Sequence, residues 1–164
     1  MILGLSMATF TIIHVIISLV GIISGFVVLA GLIKGERMEG WNMLFLLMTV
    51  LTSATGFLFP RNGITPAQIV GAISLVILLI AIVARYAGHL VGRWGWAYVV
   101  TAALAQYFNF AVLIIQSFQK FEPLKALAPT QSEPPFLIAQ AATLALFLLL
   151  GLLALRGATR SVLA

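Results

Sequence analysis

Residues 65–86 have the sequence TPAQIVGAISLVILLIAIVARY, in which residues 65–84 carry no charge. An α-helix rises about 1.5 Å per residue, so these twenty residues extend over about 30 Å, the thickness of the hydrocarbon core of a bilayer. Thr65 can cap such a helix, Pro66 suits its first turn, and Gln68 can reach back to the capping residue. The segment therefore predicts a membrane-spanning helix that begins near residue 65.

Charge-free runs of similar length recur along the whole chain. Of its 164 residues 62% are hydrophobic, and the nine Lys or Arg and four Asp or Glu leave uncharged stretches at 1–33, 40–60, 62–84, 94–119 and 134–155. We therefore predict an all-α polytopic membrane protein, a bundle of five transmembrane helices. The predicted spans form a single transmembrane domain, 1–164, and cover about residues 9–33, 41–59, 65–86, 95–118 and 136–155. No remaining segment is long enough to bury a soluble core.

The basic residues predict how this bundle is oriented. Six of them fall on one side of the predicted spans: Lys34, Arg37, Arg85, Arg93, Arg156 and Arg160. Arg61, Lys120 and Lys125 fall on the other side. Because short cytoplasmic loops carry an excess of Lys and Arg, we predict that the N-terminus is outside and the C-terminus inside. The cations form no continuous patch, so we predict no nucleic-acid partner.

Successive spans cross the membrane in opposite directions, which assigns a depth to each residue. Placed by depth, the uncharged polar side chains are concentrated in one half of the predicted membrane. The candidate ligand-binding residues of this outer half are His14, Ser18, Ser53, Gln68, Asn109, Gln116 and Gln140. His14 and Ser18 share a helical face with Gly21 and Gly25 because of their spacing. The pattern predicts a polar pocket in the outer half, covered by the Pro-rich external segment 121–135.

Two interpretations of this polar layer remain open. Ser, Thr, Asn, Gln and His commonly hydrogen-bond between membrane helices, at about 0.6 kcal/mol each on average, so the layer can be purely structural. A ligand pocket is the other interpretation, and His14 favours it because a neutral imidazole offers both a donor and an acceptor. The GxxxG spacing of Gly21 and Gly25 suits close helix packing, either inside the bundle or in a dimer.

Residue types needed for catalysis are missing from the predicted spans. None of the spans contains Asp or Glu, so a buried carboxylate acting as general acid or base is not expected. For the same reason Arg85, at the inner end of the third span, is expected to extend to the headgroups without an ion-pair partner. His89 lies across the membrane from His14, which excludes a haem held by both, and the chain has no Cys. We predict no enzymatic activity, cofactor or metal.

Three stretches of the chain carry a resemblance: GFVVLAGLIKG at 25–35, TVLTSATGFLFP at 49–60 and LAPTQSEPPFLIAQ at 127–140. Together they resemble small bacterial integral-membrane proteins that are usually termed hypothetical, over most of the chain. The resemblance implies a multi-pass location in the bacterial inner (plasma) membrane. It implies no activity, cofactor or partner.

Two functional hypotheses follow from the sequence. The first is a non-enzymatic membrane protein that acts through helix contacts, as an accessory subunit or in a small assembly. Its partners would be the lipid bilayer and other membrane subunits or a second copy. The alternative is the binding or transport of a small amphipathic molecule, quinone-like or a lipid headgroup, in the outer-half pocket.

Overall fold

The structure is a computed structural model that describes residues 1–60 and 63–161, the last two of them by backbone alone. Arg61 and the side chain of Arg160, both used above to predict orientation, lie outside this description. The described chain is all-α, and a π-helical turn at Val83–Ala87 continues the third helix. The α-helices are α1 Met7–Lys34, α2 Glu39–Gly56, α3 Pro66–Ile82, α4 Arg93–Lys120, α5 Glu122–Leu127 and α6 Pro134–Ser161.

Each predicted span corresponds to one helix, but the bounds differ. α1 and α4 extend one or two residues further at each end, and α6 continues to Ser161 where the prediction ended at residue 155. α2 begins at Glu39 and ends at Gly56, whereas the prediction extended it to residue 59. Pro60 explains the early end, because a proline disfavours helical geometry in the residue before it. The start of α3 is confirmed in detail. Thr65 and Gln68 form a reciprocal capping box, with Pro66 in the first turn.

Four of the helices are long and apolar enough to cross a membrane. They are α1, α3 with its π-helical turn, α4 and α6. α2 is not among them. It has 18 residues, a length of about 27 Å, and Glu39 and Asn42 lie in its first turn. The structure therefore indicates a membrane protein with four candidate spanning helices.

The helices pack in a ring of four with one helix outside it. α1 contacts α2, α2 contacts α3, α3 contacts α4, and α4 returns to α1. α6 contacts α1 and α4, so it covers the seam between them from outside the ring. Consecutive long helices run in opposite directions. We call the end where α1 begins the N-terminal end and the other the Arg85 end.

α1 and α4 approach closely at the centre of the bundle. Gln106 of α4 is fully buried, and its Nε2 donates a hydrogen bond of 2.7 Å to the carbonyl oxygen of Ile22 in α1. Gly25 lies directly against the Gln106 side chain, and a Cβ on Gly21 would lie 3.3 Å from Asn109 Nδ2. The GxxxG face of α1 is therefore used inside the chain, where it packs on α4.

Arg85 does not extend to the headgroups, so the prediction of an unpaired arginine is wrong. Its side chain is only 3% exposed, and Nη2 lies 2.7 Å from Glu39 Oε2. The guanidinium also lies over the Tyr98 ring, 5.2 Å from the ring centroid. The prediction failed because α2 begins before residue 41, which brings Glu39 onto the helix and next to the π-helical turn.

Candidate functional site

A cavity of about 350 Å³ lies inside the ring of four helices, towards the N-terminal end. This volume falls in the range of small-molecule sites. Six of the seven candidate residues line it: His14, Ser18, Ser53, Gln68, Asn109 and Gln116. They come from all four helices of the ring. The structure thus brings together side chains that are far apart in the sequence, in the half of the bundle where the sequence predicted a polar pocket.

Gln140 is the candidate residue that does not reach the cavity. It lies on α6, outside the ring, and its Nε2 donates a hydrogen bond of 3.2 Å to the carbonyl oxygen of Ala111 in α4. Its inclusion in the pocket was wrong, because the sequence does not specify which helices enclose the space. Gln140 instead attaches α6 to α4.

The Pro-rich segment 121–135 does not cover the cavity either. None of its residues is part of the cavity lining. Gln131 Nε2 donates a hydrogen bond of 2.9 Å to the carbonyl oxygen of Ile115, and the Phe118 and Phe136 rings meet edge to face with centroids 5.4 Å apart. These contacts hold the segment between the ends of α4 and α6, so the predicted cover is absent from the described structure.

His14 is fixed in the cavity wall by a contact between α1 and α2. Its Nδ1 lies 2.7 Å from Thr55 Oγ1, and its ring meets Phe59 edge to face with centroids 5.1 Å apart. Thr55 Oγ1 already donates its single proton to the carbonyl oxygen of Leu51, at 2.6 Å. It therefore accepts from His14, which must carry its proton on Nδ1. The Nε2 lone pair remains as a hydrogen-bond acceptor.

Two buried polar groups of the lining lack a partner. Asn109 Nδ2 and Thr49 Oγ1 are both inaccessible and form no hydrogen bond with the described residues. Both lie close to Gly21, where a Cβ would be 3.3 Å from Asn109 Nδ2 and 3.4 Å from Thr49 Oγ1. A buried donor without an acceptor costs about 1–3 kcal/mol, so a ligand oxygen that reaches these atoms after a small shift of the lining side chains would be bound favourably.

The two interpretations of the polar layer predict different hydrogen bonds. Interhelical bonding would join the lining residues to one another, yet Ser53, Asn109 and Gln116 form no hydrogen bond with another described helix. Ser18 and Thr52 donate to carbonyl oxygens of their own helices. The amides that join two described helices are those of Gln106, Gln140 and Asn42, and none of them belongs to the cavity lining. His14, through Thr55, is the lining residue whose side chain does join two helices. The cavity therefore retains polar groups that the fold does not use.

Lining residues at the N-terminal end give the cavity a polar mouth. Among the described residues of the lining, Lys120 is the one with a formal charge, and it is exposed. Gln68 has a structural role there, because its Oε1 accepts the Thr65 N–H at 3.0 Å. Phe57 and Phe59 add aromatic surface.

Sequence reasoning did not select several of these lining residues. The four-residue spacing of Thr49 from Ser53, and of Lys120 from Gln116, places both on the predicted interior faces, although neither was among the candidate ligand-binding residues. The two phenylalanines had no such signal, because they follow the end of α2 and the chain folds them back.

The chemistry of the lining is that of a neutral binding site. It offers hydroxyl, amide and imidazole groups on an otherwise apolar wall, with one ammonium group at the mouth. Within the described residues, no three His, Asp or Glu side chains are grouped so that they could hold a metal ion. The arrangement can hydrogen-bond an uncharged polar head and accommodate an apolar body.

Comparison of the chain with protein-family models, with curated proteins and with solved structures found no match.

Proposed function

We propose that this protein binds a small amphipathic molecule in the cavity between α1, α2, α3 and α4, as a non-enzymatic membrane protein. The observation that carries the proposal is the pair of buried, unpartnered groups, Asn109 Nδ2 and Thr49 Oγ1, in the lining of a 350 Å³ cavity. Both groups can donate a hydrogen bond. A ligand with a carbonyl or ether oxygen at one end would satisfy them.

The cavity lining further restricts the chemistry of the ligand. Its apolar surface comes from aliphatic and aromatic side chains such as Leu19, Val70 and Phe108. His14 Nε2 adds an acceptor, which suits a ligand that also has a hydroxyl group. A quinone-like ring fits the donors at one wall through one of its oxygens, and in its reduced, quinol form the opposite hydroxyl can donate to His14 Nε2. A lipid headgroup with ester oxygens is the second ligand class that fits these groups.

The accessory-subunit hypothesis receives less support. Its basis was the small-residue face of α1, and Gly25 of that face packs against Gln106 within the chain. The exposed leucines of α6, such as Leu148 and Leu152, form a surface that lipid covers as readily as a partner subunit does. We therefore retain assembly with other membrane subunits, or with a second copy, as an alternative proposal.

The proposal includes a five-span topology with the N-terminus outside and the C-terminus inside, in a bacterial inner membrane. Contacts along the full length of α2 support its role as the fifth span. Thr55 meets His14 near one end of α1, Met48 and Thr49 lie beside Gly21, and Met38 lies against Gly31 near the other end. α2 thus runs alongside a helix that is long enough to cross the bilayer. Its shortness is accommodated at modest cost by local thinning of the lipid.

Topology can be tested by fusing alkaline phosphatase after residue 164. This enzyme is active only outside the cytoplasm, so low activity is expected. High activity would reverse the orientation and place the cavity in the cytoplasmic half.

Ligand binding can be tested on protein purified from native membranes in mild detergent. Native mass spectrometry and an absorption spectrum would detect a retained molecule, and decylubiquinone would serve as a defined probe for the wild-type protein. Asn109→Leu keeps the number and branching of the side-chain heavy atoms and removes the unpartnered donor, so it should lower retention and probe affinity about tenfold. His14→Ala should also reduce retention.

Gln140→Leu is the matched control. It removes an amide of the same layer that lies outside the cavity, so it should lower stability and leave retention unchanged. If Asn109→Leu and Gln140→Leu retain the ligand equally, or if the purified wild-type protein contains no added mass and does not bind the probe, the proposal fails.

A further inference from the structure

A second cavity, of about 240 Å³, lies at the Arg85 end of the bundle, far from the first. It is lined by Arg37, Glu39, Arg85, Tyr86, His89 and Leu90. These residues come from four segments: the connection between α1 and α2, the first residue of α2, the π-helical turn, and the connection that follows it. The two cavities share no lining residue.

The guanidinium of Arg85 is only partly satisfied by the protein. Nη2 donates to Glu39 Oε2 at 2.7 Å and to the carbonyl oxygen of Arg37 at 3.1 Å. Nε and Nη1 are buried and have no hydrogen-bond partner among the described residues. One face of the group is covered by Tyr98, whose hydroxyl donates to Asn42 Oδ1. Only 5% of the surface of Arg85 is exposed, so water does not satisfy these donors in place of a protein acceptor.

The charge balance of this cavity favours an anion. Arg37 and Arg85 contribute two positive charges and Glu39 one negative charge, which leaves one positive charge when His89 is neutral. The Glu39 side chain is 70% exposed, so water screens its repulsion of an incoming anion far more than it screens the buried guanidinium. A singly charged phosphate ester matches this balance, and its oxygens are the acceptors that a guanidinium binds best.

The backbone around the cavity is held in an uncommon geometry. A π-helical turn, Val83–Ala87, is followed by His89 and Leu90, both with positive φ, at 49° and 62°. Leu90 is buried, and its N–H donates to the carbonyl oxygen of Ala84 at 3.2 Å. Single π-helical turns and left-handed residues that are not glycine occur frequently at binding sites. Here they place His89 and Arg85 in the wall of one cavity.

We propose that this cavity binds a phosphate group, with Arg85 and Arg37 as its cationic ligands. The group can come from the headgroup of an anionic phospholipid or from a soluble phosphate compound. The aromatic residues Tyr86 and Trp94, exposed at the same end, are typical of the membrane interface, where lipid phosphates lie. Basic pockets between membrane helices bind such headgroups. The site is independent of the ligand proposed for the first cavity.

The test compares two arginine variants of the full chain, purified and freed of lipid in a zwitterionic detergent. Arg37→Gln removes a charge from the cavity and keeps the backbone carbonyl that binds Arg85. Arg93→Gln removes the same charge from the same end, at an exposed residue that does not line the cavity. Phosphatidylglycerol and phosphatidylcholine are titrated and bound lipid is counted by native mass spectrometry. Sodium phosphate is titrated separately, and thermal unfolding is followed at constant ionic strength.

We expect wild-type protein to retain one phosphatidylglycerol in preference to phosphatidylcholine. Arg37→Gln should weaken this binding about fivefold, the contribution of one cation near a lipid surface, and Arg93→Gln should change it far less. Glu39→Gln, which keeps a hydrogen-bond acceptor for Arg85 and removes the competing charge, should strengthen it. Preference for the lipid identifies a headgroup site. Stabilisation by sodium phosphate that Arg37→Gln abolishes identifies a soluble ligand.

Two results would overturn the proposal. One is equal binding of both probes by Arg37→Gln and Arg93→Gln. The other is weaker binding by Glu39→Gln than by the wild-type protein, which would mean that Glu39 and Arg85 form a structural pair and not an anion site.

Discussion

The side chain of Gln106 occupies the space in which a Cβ on Gly25 would lie. This relationship fixes the distance between α1 and α4, because Gln106 also donates to the carbonyl oxygen of Ile22, one turn away on α1. A glycine on one helix and a buried amide on the other thus form one contact.

Gly25→Val should therefore destabilise the protein, because the added side chain must displace Gln106 and break its hydrogen bond. Overpacking of a dense core costs about 1–3 kcal/mol, so a clear fall in the midpoint of thermal unfolding is expected. Gly40→Ala is the control, since a Cβ at Gly40 meets no atom within 4 Å. Equal stability of the two variants would contradict the close approach of α1 and α4.

Glu39→Ala should lower stability because it leaves the buried guanidinium of Arg85 without its carboxylate. Removal of one partner of a buried ion pair costs about 3–5 kcal/mol, and the exposure of Glu39 places the expected loss below this range. Glu36→Ala is the matched control: it removes the same charge from an exposed residue just before α2 that forms no ion pair with another described residue. Thermal unfolding of both variants in detergent would measure the difference.

Thr55→Val should alter the tautomer of His14. The hydroxyl of Thr55 accepts the proton of Nδ1, so its loss removes the group that holds that tautomer and costs about 1 kcal/mol of stability. Nitrogen-15 NMR of the imidazole would show a mixture of tautomers in place of one with Nδ1 protonated. In Thr52→Val, which loses a hydroxyl that bonds within its own helix, the His14 spectrum should stay as in the wild-type protein. A wild-type spectrum with Nε2 protonated would refute the assignment.

Thr65→Ala should destabilise the first turn of α3 by about 1 kcal/mol, since the Gln68 N–H loses the capping hydroxyl. Amide hydrogen exchange of residues 67–70 should accelerate, while exchange in the centre of α3 changes little. Thr65→Ser retains the hydroxyl and should behave as the wild-type protein does. If exchange is equally fast in both variants, the capping box does not stabilise the helix.

The sequence predicted more of the cavity than of its surroundings. Six lining residues could be selected because alternating spans place residues such as His14 and Gln116 at the same depth, whatever the arrangement of the helices. Gln140 was included for the same reason. Depth along a helix follows from its direction and rise per residue, whereas membership of the ring depends on contacts between distant helices. Sequence periodicity contains no information about which helix is a neighbour.

Charge and hydropathy by themselves determined that the chain forms long apolar helices, because a helix satisfies its own backbone hydrogen bonds and needs only its local sequence to do so. The tertiary structure alone decided that α6 lies outside the ring, that Asn109 Nδ2 and Thr49 Oγ1 have no partner among the described residues, and that Glu39 meets Arg85. Each of these depends on the close packing of side chains from segments distant in sequence. Such packing is decided by the shapes of all the helices together.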